Sequence, residues 1–247
     1  MLAFVLTVTA LWAGGRLSTM LPQHHLSQDA RDSAKIGIGM LATLLALVLG
    51  LMITSAKRSF DERAAEVVQL STSIVLLDHA LAGLGEESRP ARAELRKLLE
   101  NITQLTRPHA YLGTQEVQGS IGNLRTITQL QKTILDLQPI TPTQKWFQAR
   151  SMELSTTVAQ DRVLSSEQSE RSVPPILLLI VCGWIVLIYL GLGVFMVSNK
   201  SVNVALGVCA LAFACSIFII LELDTPFSGV VAVSDASLVR AQAELMP

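Results

Sequence analysis

The sequence is poor in charged residues. They make up 16% of its 247 residues, whereas soluble domains are about a quarter charged. The net charge at pH 7 is −1, so the chain offers no strongly basic surface for nucleic acid. Half of the residues are apolar and the mean hydropathy is +0.47, which excludes intrinsic disorder. The composition therefore indicates a membrane protein.

The sequence also has few cysteines and none of the common catalytic motifs. Cys182, Cys209 and Cys215 all lie in apolar stretches, where cysteine is typical as a small apolar residue of a helix and not as half of a disulfide framework. There is no Walker loop, no GxSxG elbow, no HExxH motif and no CxxC pair. We expect no enzymatic activity, no catalytic residue, no metal and no cofactor.

Three long runs contain no charged residue. Residues 36–56, 174–199 and 201–221 comprise 21, 26 and 21 residues, and about 20 helical residues cross a bilayer core. Residues 2–21 form a fourth candidate, which spans only if Arg16 reaches the headgroups. Its alternative is a cleaved signal peptide, which a missing basic n-region and cleavage site disfavour. The sequence therefore predicts four transmembrane helices.

Residues 57–173 differ from the runs around them. They contain 14 basic and 14 acidic residues, and their apolar positions recur at steps of three and four, which indicates helices. No Pro or Gly pair separates Ile53 from Phe60, so we predict one continuous helix from near Gln28 to near Ala82. A second helix is predicted from Pro90 to before Arg107, a third over 123–137, and a fourth from Pro142 to about Glu170 with Thr141 as its N-cap. Residues 109–122 are predicted to be a loose, glycine-containing linker.

The resulting fold class is an all-α membrane protein with four transmembrane helices and a helical bundle inserted between spans two and three. Residues 1–56 supply spans one and two, residues 57–173 the bundle, residues 174–224 spans three and four, and residues 225–247 a C-terminal surface tail. Six basic residues flank the span ends on the bundle side and four on the other, which favours a cytoplasmic bundle in a bacterial inner membrane. The first group is Lys57, Arg58, Arg63, Arg162, Arg171 and Arg240, and the second is Arg16, Arg31, Lys35 and Lys200.

The run Asp-Thr-Pro-Phe-Ser-Gly at residues 224–229 follows the last span. Together with the layout of the whole chain, it resembles the bacterial bestrophin-like membrane protein family of unknown function. The usual family member has Arg where this chain has Thr225, so a basic residue at the membrane edge is missing here. Bestrophins are oligomeric anion channels gated by calcium, so the resemblance implies a homo-oligomeric ion channel. A bestrophin-type calcium loop is not visible, because Glu86 and Glu87 supply too few oxygens for six to eight ligands.

One face of span two combines small, polar and apolar residues. Steps of four and three from Ile36 give the pore-lining candidates Met40, Thr43, Leu47, Gly50, Thr54 and Lys57. A wet pore needs polar groups among apolar ones, and the terminal cation slightly favours anions. The alternative is helix packing, because Gly39 with Thr43 and Ala46 with Gly50 are small-xxx-small pairs.

The end of span four supplies membrane-edge or gating candidates, Glu222, Asp224 and Phe227. Alternatively, these acids are solvated and the tail only docks, through a last helix that begins near Ser234. That helix presents Leu238, Ala241 and Leu245 on one side.

His25, Asp29 and Asp32 could share a helix face and bind a metal. The favoured interpretation is helix capping, with Ser27 as N-cap and the two acids beside the positive end of the helix dipole.

Two function classes remain open. The first is a homo-oligomeric ion channel, whose partners are the lipid bilayer, further copies of the chain and ions. The second is a non-conducting membrane sensor or scaffold whose bundle binds a partner protein. Neither class involves nucleic acid.

Overall fold

The structure is a computed structural model that describes residues 2–22, 27–106, 114–167, 173–195, 199–225 and 230–245. Within these ranges the chain forms eight α-helices, one 3₁₀ turn at Glu86–Ser88 and no β-strand. The predicted all-helical fold is confirmed. The helices are α1 Leu2–Met20, α2 Gln28–Ala82, α3 Arg89–Thr106, α4 Thr114–Leu135, α5 Pro142–Glu167, α6 Pro175–Phe195, α7 Lys200–Leu223 and α8 Ala236–Leu245.

Helix α2 is one uninterrupted helix of 55 residues, as predicted. Its first turn is capped by Ser27, whose Oγ accepts a hydrogen bond from the backbone N–H of Ala30 at 3.4 Å. Beyond its end, Gly85 has a φ of +82°, a left-handed conformation that glycine adopts without steric cost. The chain therefore turns there and enters α3 through the 3₁₀ turn.

Helix α5 begins with the predicted N-cap. The backbone N–H of Gln144 donates to Thr141 Oγ1 at 3.1 Å, and Gln144 Oε1 accepts from the backbone N–H of Thr141 at 3.1 Å. This reciprocal pair is a capping box, which satisfies two backbone donors that a helix start leaves open.

The predicted linker over residues 109–122 is wrong for its second part, because α4 already begins at Thr114. Residues 109–113 lie outside the described residues. Gly119 and Gly122 each cost a helix about 1 kcal/mol relative to alanine. Extending an existing helix needs no new nucleus and adds a hydrogen bond per residue, so two isolated glycines do not end it.

The chain divides into two compact units. Unit 1 comprises Met1–Ser59 and Arg171–Asp224, and unit 2 comprises Phe60–Glu170 and Thr225–Pro247. Helix α2 supplies residues to both units. In the part of the chain that the structure describes, three helices are long and apolar enough to cross a membrane, namely α2, α6 and α7. Helix α1 is not among them, so a fourth span stays a prediction.

Unit 1 is held together by apolar side chains and by one close approach of two backbones. A Cβ on Gly14 of α1 would collide with the carbonyl oxygen of Leu190 in α6 and lie 3.0 Å from the Cα of Gly193. Only glycine permits this separation, so α1 and α6 cross in direct backbone contact. Tyr189 of α6 is buried and its hydroxyl donates to the carbonyl of Leu206 in α7 at 3.3 Å.

Unit 2 has a larger core with polar groups inside it. Buried leucines and isoleucines of α2, α3 and α4 pack together with Leu154 and Val158 of α5. Across α2 and α3, Arg92 donates from Nε and Nη2 to the two carboxylate oxygens of Asp78, both at 2.7 Å. Such a two-pronged, charge-assisted pair fixes orientation as well as distance.

Helix α8 belongs to unit 2 and presents the predicted apolar side. Leu238, Ala241 and Leu245 are buried in the same core as α2 and α3. Ser71 of α2 donates to Ser237 Oγ at 3.2 Å, so polar contacts also join α8 to α2.

Candidate functional site

The membrane-spanning part of α2 has one packed face and one exposed face. Leu45, Leu49, Met52 and Ala56 are buried in the core of unit 1. All six pore-lining candidates are exposed in the single chain, with Met40 at 67% and Leu47 at 63% exposure. Successive residues of a helix are rotated by about 100°, so the candidate stripe lies about half a turn from the packed face. The candidate stripe therefore lies on the face of α2 that the described residues leave uncovered.

The two threonines of this stripe are satisfied by their own helix. Thr43 donates to the carbonyl of Gly39 at 2.9 Å, and Thr54 donates to the carbonyl of Gly50 at 2.8 Å. A hydroxyl bonded in this way retains acceptor capacity. The stripe therefore offers a few acceptor groups on an otherwise apolar surface that ends at Lys57.

The packing alternative for this stripe can be compared with the glycines that do pack. A Cβ on Gly39 or Gly50 would meet no atom within 4 Å. In contrast, Gly14 and Gly193 are in backbone contact across α1 and α6. Within the described part of this chain, close helix packing therefore uses other glycines than those of the candidate stripe.

The membrane-edge candidates lie at the end of α7. Glu222 is in its last turn, Asp224 is its C-cap, and both side chains are half-buried. The backbone N–H of Asp224 donates to the carbonyl of Ile220 at 3.1 Å. Carboxylates are unfavourable beside the negative end of a helix dipole, so an interaction with the dipole does not explain why acids occupy these positions. Phe227 lies outside the described residues.

Of the metal candidates, Asp29 takes the predicted place in the first turn of α2, whereas Asp32 lies beyond that turn and pairs with Lys35. Asp29 is in the first turn of α2 behind the Ser27 cap, and Asp32 Oδ1 pairs with Lys35 Nζ at 2.9 Å. His25 lies outside the described residues. Among those described, no group of three or more His, Cys, Asp or Glu side chains is placed to hold a metal ion.

Two side-chain pairs were not found from the sequence. Asp78 and Arg92 join helices on either side of a turn, and their hydrogen bond raises the pKa of Arg92. In α1, the Arg16 guanidinium carbon lies 5.4 Å from the centre of the Trp12 ring, within range of a cation–π contact. The signal for the second pair was available, because residues i and i+4 of a helix are neighbours.

The fold and the apolar helices define the class of this protein, a helical membrane protein with more than one span. The chain belongs to the Bestrophin-like family, whose domain model matches residues 1–238. No curated protein sequence matches the chain.

Three crystal structures of a bacterial bestrophin homologue from Klebsiella pneumoniae are similar in fold. Two are point mutants, with TM-scores of 0.72 and 0.68, and each is 13% identical to this chain. They cover 99% of this chain and 97% and 95% of their own. The third, phased on zinc, has a TM-score of 0.66 at 13% identity and covers 99% and 95%. At this identity the likeness concerns the fold.

Proposed function

We propose that the protein is a homo-oligomeric ion channel similar to bestrophins, with the exposed face of α2 lining its pore. The observation that carries this proposal is the position of six residues on a face of span two that the described part of the chain does not cover, namely Met40, Thr43, Leu47, Gly50, Thr54 and Lys57. Several copies arranged about an axis would bring these faces together. Family membership supports the same assembly, because bestrophins are oligomeric channels.

The proposed channel has four spans, with α1 as the first, and its helical bundle faces the cytoplasm of a bacterial inner membrane. Apolar residues such as Leu47 would form a constriction that gates by dewetting. Lys57 would stand at the pore end and slightly favour anions. Glu222, Asp224 and Phe227 are the proposed gating residues at the membrane edge.

Flux from liposomes tests this proposal. Purified protein reconstituted in tight liposomes should pass ions above the level of empty vesicles. Lys57→Glu should shift the anion-to-cation permeability ratio toward cations, because it reverses a charge at the proposed pore end. The measurement is the reversal potential under a salt gradient.

Lys145→Glu is the matched control, since it makes the same charge change at an exposed site in α5 of unit 2. It should leave the permeability ratio unchanged. Absence of flux at every membrane potential and calcium concentration would contradict the channel, and an equal shift in both variants would contradict the role of Lys57.

The second candidate is a non-conducting sensor or scaffold whose bundle binds a partner protein. It is favoured by apolar side chains on the surface of unit 2, where Ile140 is 82% and Trp146 is 62% exposed. Stoichiometry in mild detergent separates the two candidates. A symmetric ring of copies supports the channel, whereas a monomer leaves no axis for a pore and supports the scaffold.

A further inference from the structure

The face of α1 that points away from α6 carries a cation on an apolar surface. Thr7, Ala10 and Gly14 are the buried positions of this helix. Trp12 and Arg16 lie on the opposite side, where Trp12 is 67% exposed and Val5 and Val8 are also exposed. The polar groups on this surface are threonine hydroxyls bonded to their own helix and the guanidinium of Arg16. Arg16 lies four residues before the helix ends at Met20.

Arg16 has no carboxylate partner in the part of the chain that the structure describes, and the Trp12 ring lies 5.4 Å from its guanidinium carbon. A ring face stabilises a cation but neutralises no charge. The guanidinium keeps its fork of N–H donors, which matches the oxygens of a phosphate. Trp12 and Arg16 lie where the apolar run of α1 ends, and at such a position tryptophan and arginine are typical of the headgroup level of a bilayer.

The same end of unit 1 carries an excess of positive charge. The end of α1 meets the end of α6 at Gly14 and Gly193, and the start of α2 meets it where Ile38 lies against Gly191. Tyr189 joins this end of α6 to the start of α7 through Leu206. The described charged residues gathered there are the basic Arg16, Arg31, Lys35 and Lys200 and the acidic Asp29 and Asp32.

We infer that Trp12 and Arg16 form a binding site for the phosphate of an anionic phospholipid. The guanidinium donates to the phosphate oxygens, and the indole packs against the glycerol backbone and the upper acyl chain. The local excess of basic residues selects an anionic headgroup over a zwitterionic one. This inference rests on α1 lying in the bilayer, which is part of the proposed four-span arrangement.

Quenching of Trp12 by brominated lipids tests the site. The sequence has three tryptophans, so Trp146→Phe with Trp184→Phe leaves Trp12 as the only one. Vesicles combine phosphatidylglycerol and phosphatidylcholine, with bromine on the acyl chains of one lipid at a time. We expect Trp12 to favour phosphatidylglycerol about fivefold over phosphatidylcholine at low salt, and less as ionic strength rises.

Variants of the cation separate a phosphate site from general attraction. Arg16→Gln should reduce the preference well below fivefold, to the small preference that the remaining basic residues supply, and Arg16→Lys should keep more of it, because lysine keeps the charge without the planar fork. Arg150→Gln, a matched neutralisation in unit 2, should change nothing. A preference that stays near fivefold after Arg16→Gln overturns the inference.

The same quenching measurement separates the lipid site from the proposed four-span arrangement on which it rests. Quenching without headgroup preference overturns the lipid site but leaves α1 in the bilayer. No quenching at any bromine depth overturns the lipid site, because Trp12 then lies outside the membrane or under a second copy. Native mass spectrometry with all tryptophans intact provides a second readout, in which Arg16→Gln should lose one bound phosphatidylglycerol per chain.

Discussion

Helix α2 passes through two compact units, and its buried side chains differ between them. In unit 1 the helix buries only apolar residues, namely Leu45, Leu49, Met52 and Ala56. In unit 2 it also buries Ser71, Ser73 and Asp78. A buried polar group needs a partner in either setting, but an apolar bilayer offers no water to a group that is left without one. The comparison shows that one helix can bury only apolar side chains in one part and partnered polar side chains in another, when its surroundings change along its length.

The largest expected effect concerns the polar side chain that α2 buries against Arg92 in unit 2. Asp78→Ala leaves the Arg92 guanidinium without its carboxylate, and losing one partner of a buried ion pair costs on the order of 4 kcal/mol. The measurement is the Tm of the detergent-solubilised protein. Glu153→Ala, which removes the surface pair of Arg150 and Glu153, is the control and should change the Tm little. Equal shifts in the two variants would contradict the importance of burial.

The next effect concerns the apolar side chains that α2 buries in unit 1. Leu45 is fully buried, so Leu45→Ala should cost about 2–5 kcal/mol through lost contacts and a cavity. Leu47→Ala makes the same chemical change on the exposed face of α2 and should leave the Tm nearly unchanged. If Leu47 lines the proposed pore, its replacement should instead alter liposome flux. A large loss of stability in both variants would indicate that the exposed face is packed in the assembled protein.

The glycines of unit 1 should give a smaller effect. Gly14→Ala forces α1 away from α6, and such overpacking costs about 1–3 kcal/mol. Gly39→Ala meets open space and should stabilise the helix by about 1 kcal/mol. The test is again the Tm, and here the two variants should differ in sign. A destabilising Gly39→Ala would show that another copy of the chain packs on that face.

The smallest expected effect concerns pH and unit 2. Burial raises the pKa of Asp161 above 3.8, although Gln69 donates to its Oδ1 at 3.1 Å. The folded state therefore holds this proton more tightly than the unfolded state, so the stabilisation is complete below pH 3.8 and is lost as pH rises through the raised pKa. Asp161→Asn should flatten this part of the stability–pH curve. An unchanged curve in chemical denaturation between pH 3 and 7 would contradict the assignment.

Much of the helical order followed from local signals. The absence of a Pro or Gly pair between Ile53 and Phe60 predicted that α2 continues past span two, and Thr141 with Pro142 marked the start of α5. The linker before α4 was mispredicted because composition alone overstated what two isolated glycines can interrupt. Helical periodicity grouped the residues from Met40 to Lys57 on one face of α2. The opposite, packed face at Leu45 and Leu49 is equally apolar.

The sequence by itself determined that the chain is helical and that three of its apolar runs are long enough to cross a membrane. It also determined that the helix of span two continues past its apolar run. These properties depend on residues close together in the chain, whose hydrogen bonds and periodicity are local. The tertiary structure decided which face of α2 is packed, which glycines bring two backbones into contact, and that Asp78 meets Arg92. Those outcomes depend on which helices are neighbours in space, and apolar residues on every side of a spanning helix carry no local mark of the side that will be covered.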